Sequence, residues 1–274
     1  MASANSATRA KEIITDHFPN PPYHVIFRQH KGRRNAMVIT IYNSALPPNE
    51  KIFSPHGYHC IRCQIYEDDP TMLHIQTLTR CELNGTENLN RLIAFSKACG
   101  LSRITLEDES KIQYATTDDS TYSDHFINLQ QLQRLMTGKS WYERFGFTNE
   151  KVATYHDRIR VYIGKPIGST YSDELVTRLR NDITSITPET SVSNAAKCIY
   201  AYLQGLCPDR ICEQKDLIHI DKINDILNEM YQEMLVELKM DADDFVRLEL
   251  IFSHQRGASR KNKTVRRRKR TLRG

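Results

Sequence analysis

Three groups of residues in this chain are of types that do chemistry. Glu107-Asp108-Glu109 sets three carboxylates in a row at the end of an expected strand, where a general base or a cation-binding pair is often found. Asp118, Asp119 and Asp124 follow closely, so binding of a cation or a basic substrate is the alternative reading. Cys60-x-x-Cys63, with His56, His59, His74 and Cys81 in reach by sequence, has the ligand types of a zinc site. The spacing argues otherwise, because residues three apart on a strand point to opposite faces and no matching second pair follows. Ordinary half-buried cysteines are therefore expected. The third group is the C-terminal tail, residues 260–274, with nine Lys or Arg and no acid. Arg266, Arg267, Arg268, Lys269 and Arg270 are its candidate nucleic-acid contacts, since releasing counterions from phosphates needs no particular fold. No interleaved aromatics point to sequence-specific reading. The formal charge of +5 thus resides in the tail and leaves about −4 for residues 1–259.

These groups need elements to position them. Pro19, Pro21 and Pro22 argue for an extended entry, and residues 1–35 are expected to be an extended segment with a frayed start. Residues 36–42, 58–66 and 72–79 read as three strands of an antiparallel meander, with Glu67-Asp-Asp-Pro70 as a turn. The period then changes to 3.6. Leu89, Leu92 and Ile93 trace a helix that Thr86 or Asn88 would cap and Gly100 would end. Arg103 to Glu107 is a short strand, Asp108 to Asp124 a polar loop, and Ile127 to Met136 a second helix. A short helix carrying Trp141, Tyr142 and Phe145 ends at Gly146, and Val152 to Ile163 reads as a final strand or hairpin. Beyond it, helices are expected around Leu175 to Leu179, Ala195 to Leu206, Ile218 to Leu238 and Asp243 to Phe252. The expected organisation is an α/β domain over 36–168, a helical region over 169–256 and a disordered basic tail over 257–274.

With 39% hydrophobic and 26% charged residues, the composition is that of a globular chain. No apolar run reaches the roughly 20 residues of a membrane span, and Met1 to His30 lacks the apolar stretch of a secretory signal. An intracellular protein, cytoplasmic or nuclear, not secreted and with no membrane partner, is the expectation. Seven scattered cysteines fit reduced thiols better than a disulfide framework. Gly-x-Ser-x-Gly, His-Glu-x-x-His and Walker-type motifs are absent.

The order strand, strand, strand, helix, strand, helix, strand, with Asn88 to Gly100, Ile104 to Glu107 and Trp141-Tyr-Glu-Arg-Phe-Gly-Phe147, resembles the GNAT-type N-acetyltransferases. Gly100 to Asp108 together with Thr137 to Tyr142 also resembles uncharacterised proteins of large DNA viruses. The resemblance covers about half the chain and excludes the helical C-terminal region. It implies an α+β, GNAT-like fold: a mixed, mostly antiparallel sheet flanked by helices. It also implies acetyl transfer from acetyl-CoA to an amine of unknown identity. That reaction needs a base for the ammonium and an acid for the leaving thiolate. Tyr142 would take the acid position, with Glu107 offered as base. Gly85, Thr86 and Asn88 would meet the CoA pyrophosphate at the helix N-terminus. Arg80 to Asn88 departs from the family's Gln/Arg-x-x-Gly-x-Gly/Ala loop, with one glycine and the carboxylates of Glu82 and Glu87. Either this segment holds CoA in an atypical way, or the chain is an inactive GNAT-like scaffold or a nucleic-acid-associated viral protein acting through its tail.

Overall fold

The computed structural model describes residues 2–32, 34–43, 59–78, 85–116 and 125–252. The start of the chain, expected to be frayed over its first dozen residues and extended after them, forms helix α1 (Ala2–His17). Alanine-rich sequence favours helix, and Ala10, Ile14 and Phe18 bury one stripe of it. After the prolines, β1 (Tyr23–His30) pairs antiparallel with β2 (Ala36–Asn43) along its whole length. The N-terminal segment is thus a helix and an edge strand, and not merely an extended entry.

β3 (His59–Tyr66) and β4 (Met72–Leu78) complete the expected meander. Met37, Ile39, Ile41, Ile61, Cys63, Ile65, Leu73 and Ile75 alternate onto one buried face. Helix α2 (Gly85–Ala98) covers that face with Leu89, Leu92 and Phe95. Gly100 sits at φ 75°, where a side chain would be strained, and lets the chain leave α2 for β5 (Arg103–Glu107). Because α2 opens at Gly85, Thr86 and Asn88 lie within its first turn and are not its caps.

The polar stretch after Asp108 contains β6 (Lys111–Gln113) and β7 (Ala115–Thr116). β6 pairs with β8 (Phe126–Asn128), which leads into α3 (Leu129–Thr137). Asn128 caps α3 by accepting from the Gln131 N–H at 3.1 Å. A 3₁₀ turn over Tyr142–Phe145 follows and closes at Gly146, φ 89°.

Two expectations fail beyond this point. Val152 to Ile163 is not a strand but part of helix α4 (Glu150–Ile163). Its β-branched and aromatic residues mimic a strand, yet Val152, Ile159, Tyr162 and Ile163 bury a helical stripe and Asn149 caps the Val152 N–H at 2.8 Å. The same Asn149 donates through Nδ2 to the carbonyls of Asp244 and Arg247, both at 2.7 Å.

After α5 (Ile167–Thr170), α6 (Asp173–Asp182), α7 (Val192–Leu206), the two-residue β9 (Ile211–Cys212) and α8 (Gln214–Leu238), the segment expected as a fourth helix behaves differently. Ala242–Phe245 is a 3₁₀ turn, and Arg247–Ile251 is strand β10, antiparallel to β5. Its Leu248 is buried opposite Leu106 while Arg247 and Ile251 stay exposed, a period of two that a short charged segment shows only weakly. The sheet order is β1-β2-β3-β4-β5-β10. The architecture is mixed α+β, with a mostly antiparallel sheet flanked by helices. No helix among the described residues is long and apolar enough to cross a membrane.

The thiols also depart from expectation. Cys207 and Cys212 form a disulfide and Cys60 is disulfide-bonded, while Cys63, Cys99 and Cys198 are free. The sequence shows Cys207 and Cys212 only as neighbours in number. The turn between α7 and β9 brings their Cα atoms to 4.9 Å.

Candidate functional site

β4 and β5 are the one parallel pair of the large sheet among the described residues, in register from Met72↔Arg103 to Ile75↔Leu106. The ladder ends at Ile75↔Leu106. β4 inserts Gln76 as an extra residue against β3, a bulge between Cys63↔Ile75 and Arg62↔Thr77, and β5 runs on toward Asp108.

Side-chain alternation gives the two faces of this junction different chemistry. On one face His74 Nδ1 lies 3.1 Å from Thr105 Oγ1, with Glu107 two residues further along β5. Partial burial lowers the His74 pKa, the nearby charge of Glu107 opposes that, and Arg34 adds to it. The fold therefore favours the neutral form of this imidazole. Glu107 is exposed and sits 3.5 Å from Arg247.

Because the fold favours neutral His74, the unfolded chain takes up the proton first as pH falls through about 6.5. Stability from this group is present above that pH and lost below it. His74→Gln should flatten the drop in the urea midpoint between pH 7.5 and pH 5; an unchanged drop would show that His74 does not set it.

The other face carries the aromatic turn. Trp141 packs edge-on to Tyr142 with ring centroids 4.9 Å apart, Phe145 lies 4.9 Å from Trp141, and Phe147 lies 5.9 Å from Tyr142. Tyr142 is 8% exposed, and burial together with the charge of Asp108 raises its phenol well above the ordinary value. Asp108 is 1% exposed; burial raises its carboxyl, and Ser140, Ser110 and Arg134 partly offset the shift. The carboxylate whose charge acts on Tyr142 is thus the buried Asp108, while Glu107 is exposed near Arg247.

A buried ionic cluster fixes this turn. Glu143 Oε2 lies 2.7 Å from Arg134 and accepts the Ser140 N–H at 2.7 Å, and Oε1 lies 2.6 Å from His156 Nε2. Arg134 is fully buried with its guanidinium 4.3 Å from the Phe245 ring. None of Arg134, Glu143 and His156 stands out in sequence. Arg134 lies on the side of α3 away from the Leu132 and Leu135 stripe, where helical periodicity predicts a solvated residue, so only the packed structure shows its burial.

The residues expected at the pyrophosphate meet different fates. Gly85 opens α2, and a Cβ there would lie 3.6 Å from the Trp141 indole, so aromatic packing already covers it. Thr86 is exposed on the first turn. Asn88 is fully buried and accepts a hydrogen bond from the Tyr23 hydroxyl at 3.2 Å. Glu87 is paired with Arg91 at 3.0 Å, which removes much of the repulsion its sequence position implies. A phosphate group would therefore find the Thr86 hydroxyl and the first-turn backbone amides, with Gly85 as a close neighbour. Arg80 to Asn84 and Arg266 to Arg270 lie outside the described residues.

Cys60 and Cys63 do not act together as metal ligands, since Cys60 is disulfide-bonded and the buried Cys63 thiol is pushed up in pKa by burial. Compared with known proteins, the chain matches no family model and no curated sequence.

Proposed function

We propose that this chain is a divergent GNAT-like N-acetyltransferase that moves an acetyl group from acetyl-CoA to an amine. One observation carries the reading: the parallel β4–β5 ladder ends at Ile75↔Leu106, with His74 and Glu107 on one face and a buried Tyr142 in the field of the buried Asp108 on the other. Acetyl-CoA would supply the activated acetyl thioester. Thr86 and the first-turn amides of α2 would hold its phosphates, where the helix dipole favours negative charge. The His74 and Glu107 face would receive the amine and take its proton. Tyr142, kept protonated by burial, would donate its hydroxyl proton to the departing thiolate, with Glu143 and Arg134 holding its turn in place. Calorimetric titration of the full chain with acetyl-CoA tests this directly: saturable binding is expected, and none at high micromolar concentration would reject it.

A second reading rests on Gly85 and Asn88. Aromatic packing covers the one and an internal hydrogen bond engages the other, as in a scaffold that keeps the fold without the cofactor. Such a protein would work through its tail, with Arg266 to Arg270 on nucleic acid. It predicts DNA binding that weakens steeply with salt and disappears on deletion of residues 260–274.

A further inference from the structure

The disulfide at the end of α7 closes a small ring over a tight turn. Between Cys207 and Cys212, Pro208–Arg210 makes a 3₁₀ turn in which the Arg210 N–H bonds the Cys207 carbonyl at 3.1 Å. Arg210 is held at φ 66°, in the left-handed region that a residue with a Cβ enters at a cost. Cys207 and Cys212 are 3% and 2% exposed. Directly after the turn, β9 pairs in parallel with β7, Ala115↔Ile211 and Thr116↔Cys212. A two-residue parallel ladder has too few hydrogen bonds to persist unaided.

What surrounds this seam is firmly packed. α7 lies on α3, and α8 lies on β8. On the other side, β7 leaves Tyr114, which is 3% exposed and whose N–H bonds the His125 carbonyl at 3.2 Å. His125 Nδ1 in turn lies 2.8 Å from Asp221 on α8. A strained turn and a minimal ladder thus sit between rigid neighbours, with one covalent bond holding both in register. The ring is short, and loop-closure entropy grows with ring length, so this bond contributes less to global stability than a long-range crosslink would. Its effect is concentrated locally.

We propose that the Cys207–Cys212 disulfide is a redox-operated clasp on the β7–β9 seam. A dithiol reductant opens it: the S–S bond breaks, the two sulfurs take two electrons and two protons from the dithiol, and the dithiol closes to its own disulfide. Arg210 then relaxes out of the left-handed region and β9 separates from β7. Reoxidation restores the ladder. The seam borders β6, the strand that follows Asp108 and Ser110, so the clasp controls order next to the candidate site without being part of it.

The test is hydrogen exchange of the full chain carrying Cys207→Ser and Cys212→Ser, which leaves the disulfide at Cys60 untouched. Peptides covering residues 111–116 and 207–214 should exchange at least about tenfold faster than in the wild type, with those covering β2, β3 and β5 unchanged. In parallel, wild-type protein equilibrated across ratios of reduced to oxidised dithiothreitol, a dithiol, is alkylated and read by mass spectrometry. Cys207 and Cys212 should pass from protected to labelled within that range. Unchanged exchange at the seam, a bond that stays oxidised at every ratio, or exchange rising throughout the molecule would each overturn the clasp. Should the double variant fail to fold, the disulfide is a general staple and the proposal is likewise overturned.

Discussion

Arg134→Ala is expected to destabilise the fold by about 3–5 kcal/mol, the range for removing one partner of a buried ion pair. The guanidinium is fully buried, lies 2.7 Å from Glu143 and stacks on Phe245, so its removal leaves a carboxylate 2% exposed with its main cation gone. The Ser140 N–H and His156 stay in contact with Glu143, but the buried Arg134 guanidinium that faces its Oε2 is gone. Denaturant unfolding at pH 7 reads the loss, and Trp141, the only tryptophan, reports on the turn itself. Replacing both partners, Arg134→Met with Glu143→Leu, should recover much of the stability, because apolar packing often matches a buried ion pair. A single variant with the wild-type midpoint would show that the cluster does not hold the turn.

The second large effect concerns chemistry. If the chain carries out the proposed acetyl transfer with Tyr142 as its acid, Tyr142→Phe should reduce that transfer by about 10²–10⁴-fold, the contribution of a positioned general acid, with acetyl-CoA affinity little changed. Stability should stay close to wild type, because the ring contacts to Trp141 and Phe147 are kept and only the hydroxyl is removed. Tyr142→Ala, by contrast, should cost about 3–5 kcal/mol of packing. The raised phenol pKa implies that an activity loss from Tyr142 ionisation appears only far above neutral pH. Wild-type turnover by the Phe variant would assign Tyr142 to the aromatic cluster alone.

Sequence patterns were informative wherever the cause of a structure is local. The meander of β2, β3 and β4, helix α2 ended by Gly100, strand β5 and the turn ended by Gly146 each follow from apolar periodicity or from a glycine at positive φ within a few residues. The carboxylates after β5 were likewise visible as a group, and alternation on the strand explains why they separate. Glu107 faces solvent near Arg247, and Asp108 is buried near Tyr142.

Segments whose local preference was divided were not legible. Val152, Tyr155, Ile159 and Tyr162 suit a strand or a helix, and it is burial against the protein together with the Asn149 cap that selects the helix. Arg247 to Ile251 becomes a strand because β5, more than a hundred residues earlier, offers an unpaired edge.

By itself, then, the sequence determined the meander, the glycine stops, the aromatic turn and a chain whose positive charge is gathered at its end. Tertiary structure alone decided that Asp108 is buried where its charge acts on Tyr142, that His74 meets Thr105, that Arg134 is buried against Glu143, and that Cys207 bonds Cys212. The physical reason is common to all four. A side chain's protonation, pairing or crosslinking depends on what is within a few ångströms of it, and the chain path that supplies those neighbours is a property of the packed whole.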